Sequence, residues 1–94
     1  MLGEEAYLCL AQAWLARDDP ERARAVLAPL LAVAERVAWT ATLAATLVMD
    51  GRALVRLGEA DQARAQLLRA EHLAREHGLP HVLRDAQSAQ RSLR

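Results

Sequence analysis

Ala23-Arg24-Ala25-Val26-Leu27-Ala28-Pro29-Leu30-Leu31-Ala32-Val33-Ala34 is answered further along the chain by Ala63-Arg64-Ala65-Gln66-Leu67-Leu68-Arg69-Ala70-Glu71-His72-Leu73-Ala74. Self-similarity at an offset of about 40 residues is the mark of stacked helical hairpins, since one hairpin cannot bury its apolar face alone. In both copies small and large apolar residues recur at helical spacing: Ala23, Leu27, Leu30 and Ala34, then Ala63, Leu67, Ala70 and Ala74.

Working outward from these two stretches, the punctuation predicts five helices. The first runs from about Glu4 to Arg17, with Leu10, Trp14 and either Tyr7 or Ala11 on its packing face. Asp18-Asp19-Pro20 stops it and starts the second, Asp19 as cap and Pro20 in the first turn. The second reaches about Glu35, and Pro29 inside it removes one backbone hydrogen bond, so a bend is expected there. A third helix, about Trp39 to Leu57, packs Leu43, Leu47, Gly51 and Leu54 and closes at Gly58. The fourth, about Ala60 to His77, closes at Gly78. Pro80 opens a polar fifth helix to about Ser92, whose contacts are Val82, Leu83, Ala86, Ala89 and Leu93. Connections this short force neighbouring helices antiparallel. The expected architecture is all-α, one domain over 1–94, with units of about 4–37 and 38–77 and a partial third unit or cap over 78–94.

Composition agrees. The 94 residues are 53% hydrophobic but 3% aromatic, with no Phe, Ile or Lys, so the core is built from Leu, Ala and Val. Ala, Leu and Arg are strong helix formers. Twelve Arg balance twelve acids and are spread among them, without the basic face of a nucleic-acid binder. No apolar run approaches the roughly 20 residues of a membrane span. The opening Met1-Leu2-Gly3-Glu4-Glu5 lacks the pattern of a secretory signal, and the single Cys9 forms no internal disulfide. A cytoplasmic protein is expected, with no direct nucleic-acid or membrane partner.

In register, each unit resembles a tetratricopeptide repeat. The large-small-large series of that family's first helix is matched by Tyr7, Ala11 and Trp14, and by Leu47, Gly51 and Leu54. Its second helix is matched by Ala63, Leu67 and Ala70, and less well by Ala23, Leu27 and Leu30. The turn Gly is present as Gly58 and replaced by Asp18 in the first unit. The period of about 40 exceeds the family's roughly 34, and Asp50 occupies a normally apolar place. This long-helix, Arg-rich version is similar to repeats of bacterial LuxR-type regulators with an ATPase core. The resemblance implies a stacked superhelix and a protein-protein interaction scaffold, part of a larger transcriptional or signalling regulator.

The family's binding surface is the concave face of each first helix. By position this implicates Glu5, Leu8, Gln12 and Leu15, then Ala45, Val48, Arg52 and Arg56, a mixed apolar and cationic groove suited to a peptide with an acidic residue. The family's carboxylate clamp needs Lys and Asn where Leu8 and Gln12 stand, so a chaperone-tail receptor is not expected. An incomplete third unit leaves an apolar end, so a homodimer through the uncovered end of the stack is also expected.

No enzymatic chemistry is anticipated. There is no phosphate loop, nucleophile elbow or paired catalytic carboxylates. His72 and His77 are five apart and lie on different sides of a helix, so no metal or cofactor is expected; Cys9 has no neighbouring base. Asp50 should be paired, with Arg17, Arg22 or Arg24 in reach, because a bare carboxylate in an apolar helix is costly. The alternative to a protein-binding scaffold is a small helical DNA-binding or regulatory domain.

Overall fold

Four turns set the architecture. Asp18, Ala38, Gly58 and Gly78 all have left-handed backbone, φ +60°, +57°, +79° and +63°, a spacing of 20 residues. Each lies just past a helix end. The next amide reaches back to satisfy a terminal carbonyl: Asp19 N–H to Trp14 O at 2.8 Å, Trp39 to Ala34 at 3.0 Å, Glu59 to Leu54 and Leu79 to Ala74 at 2.9 Å. This is the left-handed closure that ends many helices. One turn, used four times, thus sets a 20-residue step inside the longer repeat.

The computed structural model describes residues 4–93, which form α1 (Glu4–Ala16), α2 (Pro20–Arg36), α3 (Thr40–Arg56), α4 (Ala60–His77) and α5 (Pro80–Arg91). Residues 1–3 and 94, included in the expected domain, lie outside the described residues. The fold is all-α. Asp19 caps α2 as expected, its carboxylate accepting the Arg22 amide at 3.2 Å. α2 runs on through Pro29, which is exposed.

Each helix packs on the next, and α3 also touches α1 and α5. The first, third and fifth helices therefore form one row, and α2 and α4 a second row behind it, joined to each other by the Arg69–Glu35 ion pair. α1 and α5 stand apart on either side of α3.

Small residues allow the rows to close. Ala11, Ala23, Ala63 and Ala70 are fully buried, and Leu27, Leu47, Leu54 and Leu67 fill the space between them, each Leu worth roughly 1.5–3 kcal/mol of burial. One cluster joins Ala11, Leu15, Ala23, Leu27, Met49 and Ala53. A second joins Ala34, Leu43, Leu47, Val48, Ala70 and Ala86 across four helices. Gly51 marks the tightest approach: a Cβ there would lie 2.6 Å from Leu67 Cδ2 and 2.7 Å from its Cγ.

Three expected core positions differ. Leu10 is 45% exposed, and Tyr7 and Trp14 are only half-buried. α1 ends the row and has neighbours on one side, so Ala11 and Leu15 take the inner positions and Leu10 is turned outward. Trp14 keeps its ring covered by cations instead, with the Arg22 guanidinium 4.8 Å and that of Arg17 5.9 Å from the ring centre.

Asp50 is buried and paired. Arg24 Nε donates to Oδ1 at 2.7 Å, and Gln66 Nε2 donates to Oδ2 at 2.9 Å, so one carboxylate ties α2, α3 and α4 together. Arg24 is the partner among the three arginines expected to reach it.

Candidate functional site: the channel over the third helix

Because α1 and α5 do not meet, the face of α3 between them is open. Two hollows lie along it and share Gln12 and Arg52. The upper hollow, about 320 Å³, is lined by Leu8, Gln12, Ala45, Val48, Met49, Arg52, Val82 and Asp85. Its lower neighbour, about 380 Å³, is lined by Gln12, Leu15, Ala16, Arg52, Val55, Arg56, Ser88, Ala89 and Ser92. Together they make one channel in which apolar and polar side chains are mixed along the whole length.

The structure brings together Leu8, Gln12, Leu15, Ala45, Val48, Arg52 and Arg56. Glu5 is exposed and lines neither hollow. Leu15 and Val48 belong to the two core clusters and present only an edge to the channel, so they form its floor rather than free contacts.

The two arginines differ. Arg56 is committed: its Nη1 donates to the Leu15 carbonyl at the end of α1 and lies 3.5 Å from the exposed Asp18 carboxylate. A cation at that place answers the unsatisfied carbonyls of a helix end. Arg52 is half-buried and makes no hydrogen bond or ion pair among the described residues. Its guanidinium borders both hollows, which also take Gln12 and Asp85 above and Gln12, Ser88 and Ser92 below.

The α5 contribution was missing from the sequence reading, which took that helix as a partial third unit or cap and assigned it no groove residue. Adding the 40-residue offset to Ala45, Val48 and Arg52 leads to Asp85, Ser88 and Ser92, all in the channel wall. The repeat carried that signal; polar residue types hid it, since only the apolar positions of α5 were followed.

His72 Nε2 lies 3.0 Å from Glu76 one turn away on α4. Cys9 is exposed and outside both hollows. Among the described residues no group of three His, Cys, Asp or Glu side chains is placed to hold a metal ion, and no helix is long and apolar enough to cross a membrane.

Comparison with protein-family models, with curated proteins and with solved structures found no match to this chain. The functional reading therefore rests on the residues of the channel themselves.

Proposed function

We propose that this chain is a protein-interaction module of the tetratricopeptide-like kind, and that it takes a segment of a partner protein into the channel between α1 and α5. The observation that supports this reading is the open face of α3, apolar at Val48 and Met49 and cationic at Arg52, flanked by walls of matching position in the repeat. A channel that mixes apolar side chains with a few polar ones orients an extended or helical segment, the apolar contacts supplying affinity and the polar ones its direction. The Ala-, Leu- and Arg-rich long helices favour a place within a larger bacterial transcriptional or signalling regulator.

A peptide-display selection tests it. Peptides enriched on the wild-type chain are expected to lose binding to Gln12→Trp, which fills the channel from an exposed position on α1. No enrichment, or full retention by Gln12→Trp with its melting temperature unchanged, would reject the channel as the binding surface.

Self-association is a second reading, favoured by the outward face of α1. Shifted by the repeat offset, Thr46, Met49, Asp50 and Ala53 of α3, all buried, correspond to Ala6, Cys9, Leu10 and Ala13 of α1. There Cys9, Leu10 and Ala13 are exposed and Ala6 is half-buried, whereas the exposed Arg84 and Arg91 of α5 are charged. The apolar end of the row is thus the α1 end. Light scattering is expected to give a mass above one chain at high micromolar concentration, restored to one chain by Leu10→Glu; a single-chain mass for the wild type would dismiss this reading.

A further inference from the structure

The two ends of the helix row differ in chemistry. Around Gly51, which abuts Leu67 of α4, α3 buries Ala44 and Leu47 on the same side. Forty residues on, those three positions of α5 carry Arg84, Gln87 and Arg91, and both arginines are exposed. A further apolar helix cannot settle on that side of α5 without burying two guanidinium groups. The outward side of α1 is the reverse. Ala6, Cys9, Leu10 and Ala13 follow one another there without a charge, and charged residues stand only toward its extremities, Glu5 at one and Arg17 at the other.

We propose that this face of α1 is a homodimer interface, in which the first helices of two copies pair antiparallel about a two-fold axis near Leu10. The pairing presupposes self-association through α1, and it adds which surface of the second copy is used and in which direction that surface runs.

Complementarity selects the occupant. Among the described residues the other large apolar side chains in the open are Val37 and Trp39, on either side of a turn, and Leu68, which α4 flanks one turn away with Arg64 and His72. None of them offers a straight, uncharged helix face, and α5 is closed by its arginines. The surface of a second copy that matches the α1 face is therefore that face itself. Contact between identical patches closes after two copies, whereas contact of α1 with α5 would continue as a filament.

Charge sets the direction. Glu5 and Arg17 are both exposed and are separated by about 18 Å of helix. Antiparallel helices bring each Arg17 to the other copy's Glu5, while parallel helices set Glu5 on Glu5 and Arg17 on Arg17. Helix dipoles also favour the antiparallel pair. Asp18, next to Arg17, lies 3.5 Å from Arg56 of its own chain. The small Ala6 and Ala13, about one turn to either side of Leu10, let the two axes approach. Gln12 and Ala16, the channel edge of α1, lie to one side of the contact. A two-fold axis perpendicular to the helices keeps that edge on the same side in both copies, so both channels open on one side of the dimer.

Contact along the 13 residues of one helix belongs to the small end of specific interfaces, and a Kd on the order of a hundred micromolar is expected by sedimentation equilibrium. Arg17→Glu and Glu5→Arg should each raise that Kd about tenfold, since attraction becomes repulsion at both symmetric ends. The double variant should return to within about threefold of wild type. Both positions are exposed, so melting temperatures of the variants should stay nearly unchanged. A short bis-maleimide is expected to join wild-type copies through Cys9, the sole thiol and close to the axis, and to fail in Leu10→Glu. A dimer indifferent to both single charge reversals, or one that resists crosslinking at Cys9, would overturn the antiparallel pairing while leaving self-association standing. A single-chain mass for the wild type would remove both and assign the α1 face to a different protein or chain segment.

Discussion

Asp50 occupies a place that its own repeat fills with apolar residues, since stepping 20 residues either way leads to the buried Leu30 and Ala70. The carboxylate is tolerated because Arg24 and Gln66 converge on it from two other helices. Removing one partner of a buried pair costs more than replacing the charge by an apolar side chain. Arg24→Ala is accordingly expected to lower unfolding free energy by roughly 2–3 kcal/mol, the solvent exposure of Arg24 moderating the loss, and Asp50→Leu by less. Urea denaturation checks the order; a larger loss for Asp50→Leu would show that the carboxylate network, rather than the filled volume, holds the three helices. Gly51 next to it makes a sterner demand. Alanine improves helix propensity by about 1 kcal/mol, but its methyl would drive into Leu67, which is fully buried and would have to shift. Gly51→Ala is expected to destabilise by about 1–3 kcal/mol through overpacking. A more stable variant would mean that α3 and α4 separate easily.

At the scale of the elements, four equivalent turns carry three residue types, and the mismatches predict their own cures. Ala38 holds a left-handed conformation that costs an L-residue about 1–2 kcal/mol, partly offset by the greater freedom glycine has in the unfolded chain. Ala38→Gly should raise stability by roughly 0.5–1 kcal/mol, several degrees in Tm for a chain of this length. Gly58→Ala should lower it by about 1 kcal/mol through backbone strain alone, because an added Cβ meets nothing within 4 Å. Thermal melts of the two variants moving in the same direction would contradict a shared turn. The helices themselves were legible in the sequence: capping residues, glycines and Ala/Leu spacing located all five to within a residue or so at their ends. Their exact step was not, because Asp18 and Ala38 do not announce a left-handed turn by residue type; only the amide that reaches back behind each reveals it. The first helix was misread at Leu10 for a related reason. Periodicity marks an apolar face but cannot say which side of α1 lacks a neighbour.

For the whole molecule, the rows and the channel follow from connectivity. Short turns alternate the helices between two rows, which leaves α1, α3 and α5 side by side with α3 as the floor of a trough. Groove positions on α1 and α3, Glu5 apart, followed from the resemblance to the tetratricopeptide repeat, whereas the burial of Leu15 and Val48 and the commitment of Arg56 to the end of α1 depend on contacts between helices distant in sequence. Leu27 and Leu67 are the corresponding core positions of the two units, and each joins the rows. Truncating either to Ala should cost about 2–5 kcal/mol by lost burial and a residual cavity, much of the total for a small domain, while Arg52→Gln should leave the urea midpoint nearly unchanged. The most direct test of the account is residue-by-residue amide shift mapping of the labelled chain with a display-selected peptide. The channel predicts shifts along Leu8–Ala16, Ala45–Arg56 and Val82–Ser92, with the solvent faces of α2 and α4 undisturbed. Shifts confined to α2 and α4, or to the outward face of α1 around Leu10, would contradict it.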